Sequence, residues 1–568
     1  MRNLIKRLFD YCMQPRTLFF YALFALLIPN IILCVTERMS LMAASVNCVL
    51  PLSFYALFLT LSRRPGMMIG YAFPFVFLSA FQIVLLYLFG NSVIAVDMFL
   101  DLVTTNPGEA MELLNNLQPA LIIVFVLYVP MLFFAACSVR SKLRFSPSWV
   151  RSARRWSCGG LLFGVALMVG AYAVDDDYAV QDDVFPINAC YNAYLTYDRS
   201  VDVARYSETS AGFSYQARPT HPNAMKEVYV LVVGETSRAC NWGLYGYERQ
   251  TTPRLKKQKN LVYFTDVLTQ SNATHKSVPM LLCLASAENY SRIYKERSVI
   301  TAFKEAGFYT AYFSNQKYNH SFIDIFGQEA DTTLFLKEQG GPKRNFNDLD
   351  LLACVDGVMH SGHRKLLVVL HTYGSHFNYR ERYTESVAAY VPDQYTDAGV
   401  RYRKALINAY DNTIVQTDLL LNELMERLER SHAVSALIYT SDHGEDIFDD
   451  GRRLFLHSSP VPTYYQLHVP FLVWLSEPYV ENYPEVLGSM QANSHRPVSS
   501  NLSFVYSALQ LAGISTPYRA DSLSVASDAY RLTHRYYLDD HNEPRRYSDI
   551  GLGEQDEEQF HRRGLCFP

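Results

Sequence analysis

The sequence predicts an α/β domain with a mostly parallel sheet, preceded by a membrane domain of five helices. The first 174 residues contain several apolar stretches of about 20 residues, which is the length a helix needs to cross a bilayer. The rest of the chain alternates short β-branched runs with helical patterns, which is typical of a parallel sheet covered by helices on both faces. At 568 residues the chain is long enough for two or three domains.

The five predicted membrane spans are separated by loops of alternating charge. The spans cover residues 17–36, 41–61, 67–89, 119–138 and 157–174. Lys and Arg are frequent before the first span, after the second and after the fourth, whereas residues 90–118 carry only acidic charges. Because basic loops stay in the cytoplasm, everything after about residue 175 is expected outside. An even number of spans with a cytoplasmic domain is the alternative.

Two segments next to the spans are predicted to lie near the membrane surface. Residues 91–117 have the pattern of two short amphipathic helices. Residues 175–225 are expected to form a bridging region with one helix, because the stretch 188–197 is rich in Tyr, which is common at membrane–water boundaries. An ordinary linker with core aromatic residues is the alternative for this region.

Several strands in the second half end in polar loops. Strands are predicted at residues 228–233, 309–313, 366–371, 435–440 and 469–474, and the clearest helix covers 407–428. In open α/β sheets, ligands bind just beyond the carboxyl ends of the strands. The side chains that follow these strands therefore belong to one candidate site.

The residues at those strand ends are suited to binding a metal ion. Glu235 follows the first strand, Asp442 and His443 follow a later one, and His376 and His457 lie on polar loops. Carboxylate and imidazole ligands together favour zinc, with manganese second, over calcium, whose sites are built from oxygen. An Asp-His pair in a turn before Gly is also common without a metal.

A candidate nucleophile precedes the helix that begins near Val278-Pro279. Ser271, Thr274 and Ser277 all lie near this helix start, where anions bind well. A metal bound to a hydroxyl oxygen would create a nucleophile. Spacing alone does not separate the three hydroxyls, and each is equally placed to cap the helix.

Seven segments in order resemble the phosphoethanolamine transferases of Gram-negative inner membranes, which belong to the alkaline phosphatase superfamily. They are residues 233–238, 245–249 with 251–253, 274–279, 371–376, 441–445, 456–457 and 468–470. The resemblance covers nearly the whole chain, including the five spans. It implies an alkaline phosphatase-like catalytic domain at residues 226–520, after a transmembrane domain at 1–174 and the bridging region at 175–225. The segment 521–568 lacks the family's motifs, and no role is predicted for it.

The resemblance also implies roles for individual residues. Thr274 matches the family's nucleophile, and it completes a zinc site with Glu235, Asp442 and His443. His376 and His457 match the family's histidines that contact the transferred phosphate, a second metal or the leaving group. Asn315 lies where the family places a residue that contacts the head group. One zinc ion is expected, with a second less firmly implied. Lipid A-modifying members often bracket the nucleophile with cysteines, and this chain has Gln270 and Met280 at those positions.

The implied function is transfer of phosphoethanolamine from phosphatidylethanolamine to a lipid A or glycan acceptor through a phosphothreonine-type intermediate. The enzyme is expected as a monomer in the inner membrane, with its catalytic domain in the periplasm. A phosphoglycerol transferase acting on an envelope glycan is the alternative. A sulfatase is disfavoured because no Cys/Ser-x-Pro-x-Arg motif surrounds Thr274, and a non-catalytic sensor is disfavoured because the site residues are present. With a net charge of -4 and no large basic block, nucleic acid is not an expected partner.

Overall fold

The computed structural model describes residues 2–37, 39–89, 93–104, 118–175, 178–222, 224–339, 346–532 and 534–565. The chain forms two compact units. The first contains Met1–Phe99 and Leu113–Asp198, and the second contains Leu100–Glu112 and Arg199–Pro568.

The first unit is helical. Its helices are α1 (Arg2–Cys12), α2 (Pro15–Thr36), α3 (Leu41–Leu59), α4 (Pro65–Tyr71), α5 (Phe73–Phe89), α6 (Val96–Thr104, in part), α7 (Gln118–Arg140) and α8 (Pro147–Val174), followed by Val180–Asp183 and Ile187–Ala204. Among the described residues, α2, α3, α7 and α8 are each long and apolar enough to cross a membrane, and α4 with α5 forms a fifth candidate bent by 60°. The prediction of apolar helices before the α/β domain is therefore confirmed.

The third predicted span is broken into α4 and α5. Pro74 is the second residue of α5. Proline has no N–H to bond to the carbonyl four residues earlier, and its ring clashes with that carbonyl. The break at Ala72 lies within the turn that Pro74 disrupts. Of the two amphipathic helices predicted at residues 91–117, α6 is observed and the second lies outside the described residues.

Helices α3 and α8 pack closely because small residues face each other. A Cβ atom at Gly160 would lie 2.3 Å from Oγ of Ser53. Helices in a membrane have no hydrophobic driving force for association, so they pack through close contacts. Small residues let the helix backbones approach closely enough for such contacts. At the basic end of α8, Arg154 donates to the carbonyl oxygens of Thr60 at 2.9 Å and Leu61 at 2.8 Å, which are carbonyls left over at the end of α3.

The second unit is built on a seven-stranded sheet. The strands are β1 (Glu227–Gly234), β2 (Leu261–Tyr263), β3 (Tyr309–Ser314), β4 (Thr332–Phe335), β5 (Lys365–His371), β6 (Val434–Ser441) and β7 (Phe471–Leu475). Their order across the sheet is β2-β7-β6-β1-β5-β3-β4. Strands β6, β1, β5, β3 and β4 are parallel, and β7 is antiparallel to both of its neighbours. The predicted mostly parallel sheet is confirmed.

Helices cover both faces of this sheet. Among the described residues, the helices that lie wholly within the second unit are Tyr206–Thr209, Thr274–Leu282, Val299–Glu305, Phe322–Gly327, Leu336–Gln339, Leu351–Met359, Arg403–Arg430, Tyr464–Leu467, Glu477–Asn482, Pro484–Asn493, Ser500–Leu511 and Glu554–Arg562. Alternate residues of β1 enter two separate hydrophobic cores, with Val230 in one and Leu231 in the other. The helix predicted at residues 407–428 is confirmed within Arg403–Arg430.

Four short strand pairs join the loops around the sheet. Arg218–Pro219 pairs with Ile514–Ser515, Val267–Leu268 with Val498–Ser499, Asp446–Ile447 with Phe455–Leu456, and Tyr536–Leu538 with Pro544–Arg546. The last pair belongs to the carboxyl-terminal segment, which is part of the second compact unit.

A buried ionic cluster lies at the amino end of the central strand. The carboxylate of Glu227 lies 2.8 Å from Nζ of Lys365 and 2.8 Å from Nδ1 of His221, and it accepts a hydrogen bond from the hydroxyl of Tyr229 at 2.8 Å. Burial by itself would raise the pKa of Glu227, but the bonds from His221, Lys365 and Tyr229 together hold it below its ordinary value. The cluster ties β1 to β5 through charges that have little contact with water.

Replacing this carboxylate tests how much the cluster stabilises the fold. Glu227→Gln should lower the free energy of unfolding at pH 7 by about 3–5 kcal/mol, because it leaves the Lys365 ammonium buried without its counter-charge. A folded-state pKa below the unfolded one gives stability that is present above the unfolded pKa and is lost as pH falls through the folded pKa. The difference between variant and wild type should therefore shrink as the pH falls below about 4. Unfolding of the detergent-solubilised chain measures it, with the exposed Glu481→Gln as control.

Candidate metal and nucleophile site

The pairing of β1 with β6 brings the candidate ligands together. The two strands are parallel and in register, with Gly234 opposite Ser441. The residues that follow, Glu235 and Asp442, therefore leave the same edge of the sheet side by side. The backbone N–H of Asp442 also donates to the carbonyl of Gly234 at 3.0 Å, which continues the strand pairing by one residue.

Four predicted residues meet at this edge. The hydroxyl oxygen of Thr274 lies 2.9 Å from Nε2 of His443 and 3.2 Å from Oε1 of Glu235. Oδ2 of Asp442 lies 3.3 Å from the same Nε2 atom. One ligand atom each of Glu235, His443 and His457 lies within 4.8 Å of the others, so His457 also reaches the group. The arrangement offers carboxylate, imidazole and hydroxyl donors around one point.

Neighbouring groups hold each ligand in one orientation. Oδ1 of Asp442 accepts hydrogen bonds from the backbone N–H groups of Thr236 at 3.0 Å and His443 at 2.7 Å. Nδ1 of His443 donates a hydrogen bond to the carbonyl oxygen of Gly444 at 2.9 Å, which leaves the lone pair of Nε2 free to bind a metal ion. Oδ2 of Asp442 is buried with no hydrogen-bond partner among the described residues.

Gln316 holds the second oxygen of Glu235. Its Nε2 donates to Oε2 of Glu235 at 3.1 Å and to the carbonyl of Thr372 at 3.0 Å. It therefore ties the loop after β1 to the loops after β3 and β5. Gln316 is not among the site residues that the sequence predicts, although it directly follows Asn315 at the end of β3, where site residues were expected.

Close backbone contact fixes the loop that carries Glu235. Gly374 has a φ of +51°, and a Cβ atom there would lie 2.5 Å from the carbonyl oxygen of Glu235. The N–H of Ser375 donates to that oxygen at 2.9 Å. Only glycine fits both the left-handed backbone and the close approach.

The structure distinguishes the three candidate hydroxyls. Thr274 is the first residue of the helix Thr274–Leu282, and its hydroxyl points to the two ligands. Ser277 donates instead to the carbonyl of Asp442 at 2.6 Å, and Ser271 accepts from the N–H of Ala273 at 3.2 Å. Both serines therefore support the loops, and the geometry favours Thr274 as the nucleophile.

The electrostatics of the site favour a bound cation. Burial, and then the neighbouring Asp442, raise the pKa of Glu235 well above its usual range. Burial also raises the pKa of Asp442 to about 7 and lowers that of His443 well below its usual value. A divalent ion would offset both the loss of water and the repulsion between the carboxylates. The donor set and the unpartnered Oδ2 of Asp442 fit a zinc ion.

The two further histidines form a row that leads away from this centre. The ring of His457 lies 4.2 Å from that of His443, and the ring of His376 lies 6.1 Å from that of His457. His376 in turn stacks on Tyr373 at 5.2 Å. Nδ1 of His457 is 3.6 Å from the buried carboxylate of Glu445. A substrate bound at Thr274 would meet these imidazoles on one side.

Asn315 supports a loop of the site through a hydrogen bond to Asp348. Its amide donates to Oδ1 of Asp348 at 2.8 Å, and that carboxylate accepts from the N–H groups of Tyr373 at 2.8 Å and Gly374 at 2.9 Å. Asn315 thus supports the loop of Tyr373 and Gly374, which contacts the backbone of Glu235. Its predicted head-group contact stays a prediction.

The carboxyl-terminal segment supports the loop that carries the nucleophile. The hydroxyl of Tyr537 donates to Oδ1 of Asn272 at 2.7 Å, and the N–H of Leu538 donates to the carbonyl of Gln270 at 2.7 Å. The amide of Asn272 then donates to Gln466 at 2.6 Å. No sequence pattern predicted these contacts, because they join residues more than 190 positions apart in the chain.

The second unit matches a known protein family. The sulfatase family model matches residues 227–514, which is half of the chain. A Kdo(2)-lipid A phosphoethanolamine 7''-transferase of Escherichia coli (strain K12) is 31% identical over 300 residues, covering 51% of this chain and 51% of that protein. Phosphoethanolamine transferase EptC of the same strain is 26% identical over 319 residues, covering 54% of each. The chain thus spans about half the length of the curated relatives it matches.

Two solved structures share the fold. Lipooligosaccharide phosphoethanolamine transferase A (EptA) from Neisseria meningitidis, an integral membrane protein, superposes with a TM-score of 0.72 at 19% identity, covering 89% of this chain and 97% of that one. The periplasmic domain of EptC from Escherichia coli, solved in complex with Zn, has a TM-score of 0.54 at 24% identity and covers 60% of this chain and 97% of that one. These likenesses support the fold of both units.

The fold and the family match define a member of the alkaline phosphatase superfamily, with a set of side chains suited to binding a metal ion. The chain belongs to the sulfatase family, and its relatives include named phosphoethanolamine transferases, which confirms the resemblance predicted from the sequence.

Removing the Gln316 amide tests its support of Glu235. Gln316→Leu should weaken zinc binding by about 10–100-fold, the usual cost of losing a group that orients a metal ligand. Calorimetric titration of the metal-free chain with zinc measures the affinity. Lys317→Gln, the exposed next position, is the control and should bind zinc like the wild type. Unchanged zinc affinity in Gln316→Leu would show that Glu235 needs no such support.

Removing one hydroxyl tests the carboxyl-terminal contact. Tyr537→Phe leaves the buried Oδ1 of Asn272 without its donor, so the free energy of unfolding should fall by about 1–3 kcal/mol. Tyr536→Phe, one residue earlier in the same strand, is the matched control and should stay within about 0.5 kcal/mol. Equal stability of the two variants would contradict a supporting role for Tyr537.

Proposed function

We propose that this protein transfers phosphoethanolamine from phosphatidylethanolamine to a lipid A or glycan acceptor. The observation that carries the proposal is the position of the Thr274 hydroxyl, 2.9 Å from His443 and 3.2 Å from Glu235 at the start of a helix. The named relatives, which match about half of this chain, support the choice of phosphoethanolamine as the transferred group. The chain is proposed to act as a monomer, with the catalytic unit on the periplasmic side of the inner membrane.

In the first step, Oγ1 of Thr274 attacks the phosphorus atom of the donor. The P–Oγ1 bond forms and the bond from phosphorus to the diacylglycerol oxygen breaks. Glu235 lies within hydrogen-bond distance to take the hydroxyl proton, and His376 or His457 gives a proton to the leaving oxygen. The amino end of the helix Thr274–Leu282 points N–H groups toward the phosphoryl oxygens.

In the second step, a phosphate or hydroxyl oxygen of the acceptor attacks the same phosphorus. The P–Oγ1 bond breaks, and Glu235 returns its proton to Oγ1 of Thr274. The proton of the attacking acceptor group passes to the histidine that gave one in the first step. Glu235, Asp442 and His443, with Thr274, would hold one zinc ion, and His457 is near enough to join them or to contact the phosphate. When bound, zinc lowers the pKa of the hydroxyl and neutralises charge on the phosphoryl oxygens.

Replacing the nucleophile tests the chemistry. Thr274→Ala should lower transfer by roughly 10³-fold or more, since a covalent nucleophile acts as part of a unit. Thr274→Ser keeps a hydroxyl and should retain measurable transfer, which makes it the matched control. Transfer is measured with a labelled donor in lipid nanodiscs, and both variants should unfold like the wild type.

The mass of the trapped intermediate identifies the group that is transferred. Wild-type chain incubated with donor and no acceptor should carry a phosphoethanolamine adduct on Thr274, and Thr274→Ala should carry none. A phosphoglycerol adduct would instead establish the alternative donor. Full activity of Thr274→Ala with no adduct on either chain would overturn the assignment.

A further inference from the structure

The helix Ile187–Ala204 has its polar side chains inside and its aromatic rings outside. Along the part that belongs to the first unit, Asn188, Asn192 and Thr196 are buried, with relative exposures of 1%, 6% and 6%. These positions are four residues apart and therefore share one face. A helix that packs on a protein in water normally has the opposite pattern, with apolar residues inside.

The outward face is a continuous aromatic stripe. Tyr194 and Tyr197 are 60% and 69% exposed, and Ile187 and Tyr191 are 38% and 37% exposed. The exposed Cys190 lies on the same stripe. The spacing of three and four residues keeps all five on one side of the helix. We call the exposed side chains of Ile187, Cys190, Tyr191, Tyr194 and Tyr197 the tyrosine face.

The buried polar side chains are satisfied by backbone groups of the first unit. The amide of Asn192 donates to the carbonyl of Ile94 at 2.8 Å, and the hydroxyl of Thr196 donates to the carbonyl of Asn192 at 2.8 Å. The amide of Asn188 donates to the carbonyl of Asp182 at 3.1 Å. The polar face is therefore bonded to the protein, and the tyrosine face is exposed.

The position of the helix start relative to the ends of the membrane helices indicates whether the tyrosine face meets lipid or water. Just before it, the backbone of Phe185 accepts from the amide of Asn30 at 2.6 Å and donates to Oδ1 of Asn47 at 3.1 Å. Asn30 is six residues from the end of α2 at Thr36, and Asn47 is six residues from the start of α3 at Leu41. At 1.5 Å per residue, Phe185 sits about 9 Å below the ends of these two membrane helices.

Apolar packing supports the same depth. Phe185 and Ala189 share a hydrophobic cluster with Leu33 of α2 and Leu85 of α5. Both leucines lie in the last two turns of candidate membrane helices. The first turns of the helix therefore pack beside the membrane helices, where the surrounding medium is lipid.

We propose that the tyrosine face binds the phospholipid bilayer itself, in the glycerol and headgroup zone of the leaflet on the side of the α2–α3 turn. Tyr rings suit this zone because they combine an apolar body with a hydroxyl that reaches water or headgroups. The pattern of polar residues inside and aromatic residues outside is then the expected one. Bilayer contact would fix the start of the segment that leads to the catalytic unit at a constant depth.

Fluorescence quenching by brominated lipids tests this contact in the full chain. Tyr194→Trp, in nanodiscs of phosphatidylethanolamine and phosphatidylglycerol, should lose at least half of its added emission to bromines placed near the glycerol. Bromines placed near the acyl ends should quench it less. The spectrum of the wild type, with its four native tryptophans, is subtracted.

Two control positions set the scale. Phe125→Trp lies on the exposed side of α7 and should be quenched by deep bromines, whereas Val391→Trp, an exposed position of the second unit, should not be quenched. Tyr197→Trp gives the same readout if Tyr194→Trp does not fold. Absence of quenching at residues 194 and 197 would overturn the proposal, whether water or a second copy of the chain covers the face. The measurement needs no catalytic turnover, so its result tests the lipid contact independently of the proposed transfer reaction.

Discussion

The in-register parallel pairing of β1 with β6 is the constraint on which the site depends. Because Gly234 lies opposite Ser441, the residues after each strand emerge together, and a carboxylate is placed beside an Asp-His pair. A slip of one residue would turn every side chain of a strand to the other face. Two separate hydrophobic cores, one on each face of the sheet, make such a slip costly. Packing across the sheet therefore also determines the position of the ligands.

The site is built from buried carboxyl groups whose charged forms a bound cation would stabilise. Glu235 and Asp442 are 1% and 0% exposed, and the pKa values of both are raised by burial. The surrounding loops hold them in place through Gln316, Gly374 and the N–H groups of Thr236 and His443. Such support holds the candidate ligands in one geometry. The same loops also position Thr274, so the candidate ligands and the candidate nucleophile depend on the same contacts.

The first unit uses polar groups differently, because its surroundings differ. Asn30 and Asn47 are buried among apolar helices and bond to each other and to the backbone of Phe185. Where hydrocarbon is the solvent, unsatisfied polar groups are costly, and side-chain amides serve to join helices. The helix that carries the tyrosine face follows the same rule, because its polar side chains bond inside the protein and its aromatic side chains are exposed. Both units thus use buried polar side chains to fix particular chain segments, one at a sheet edge and the other at a defined depth among the membrane helices.

The sequence by itself determined the elements and the chemistry. Apolar length indicated the spans, β-branched runs ending in polar loops indicated the strands, and ordered motifs singled out Glu235, Thr274, Asp442, His443, His376 and His457. These signals are local, so they can be read from neighbouring residues. The tertiary structure brought the hydroxyl of Thr274, and not those of the two neighbouring serines, to His443 and Glu235. It also gave Gln316 and Tyr537 their supporting contacts and placed Asn315 against Asp348. Those outcomes depend on contacts between residues 33 to 265 positions apart, and no local pattern encodes which distant partner a side chain will meet.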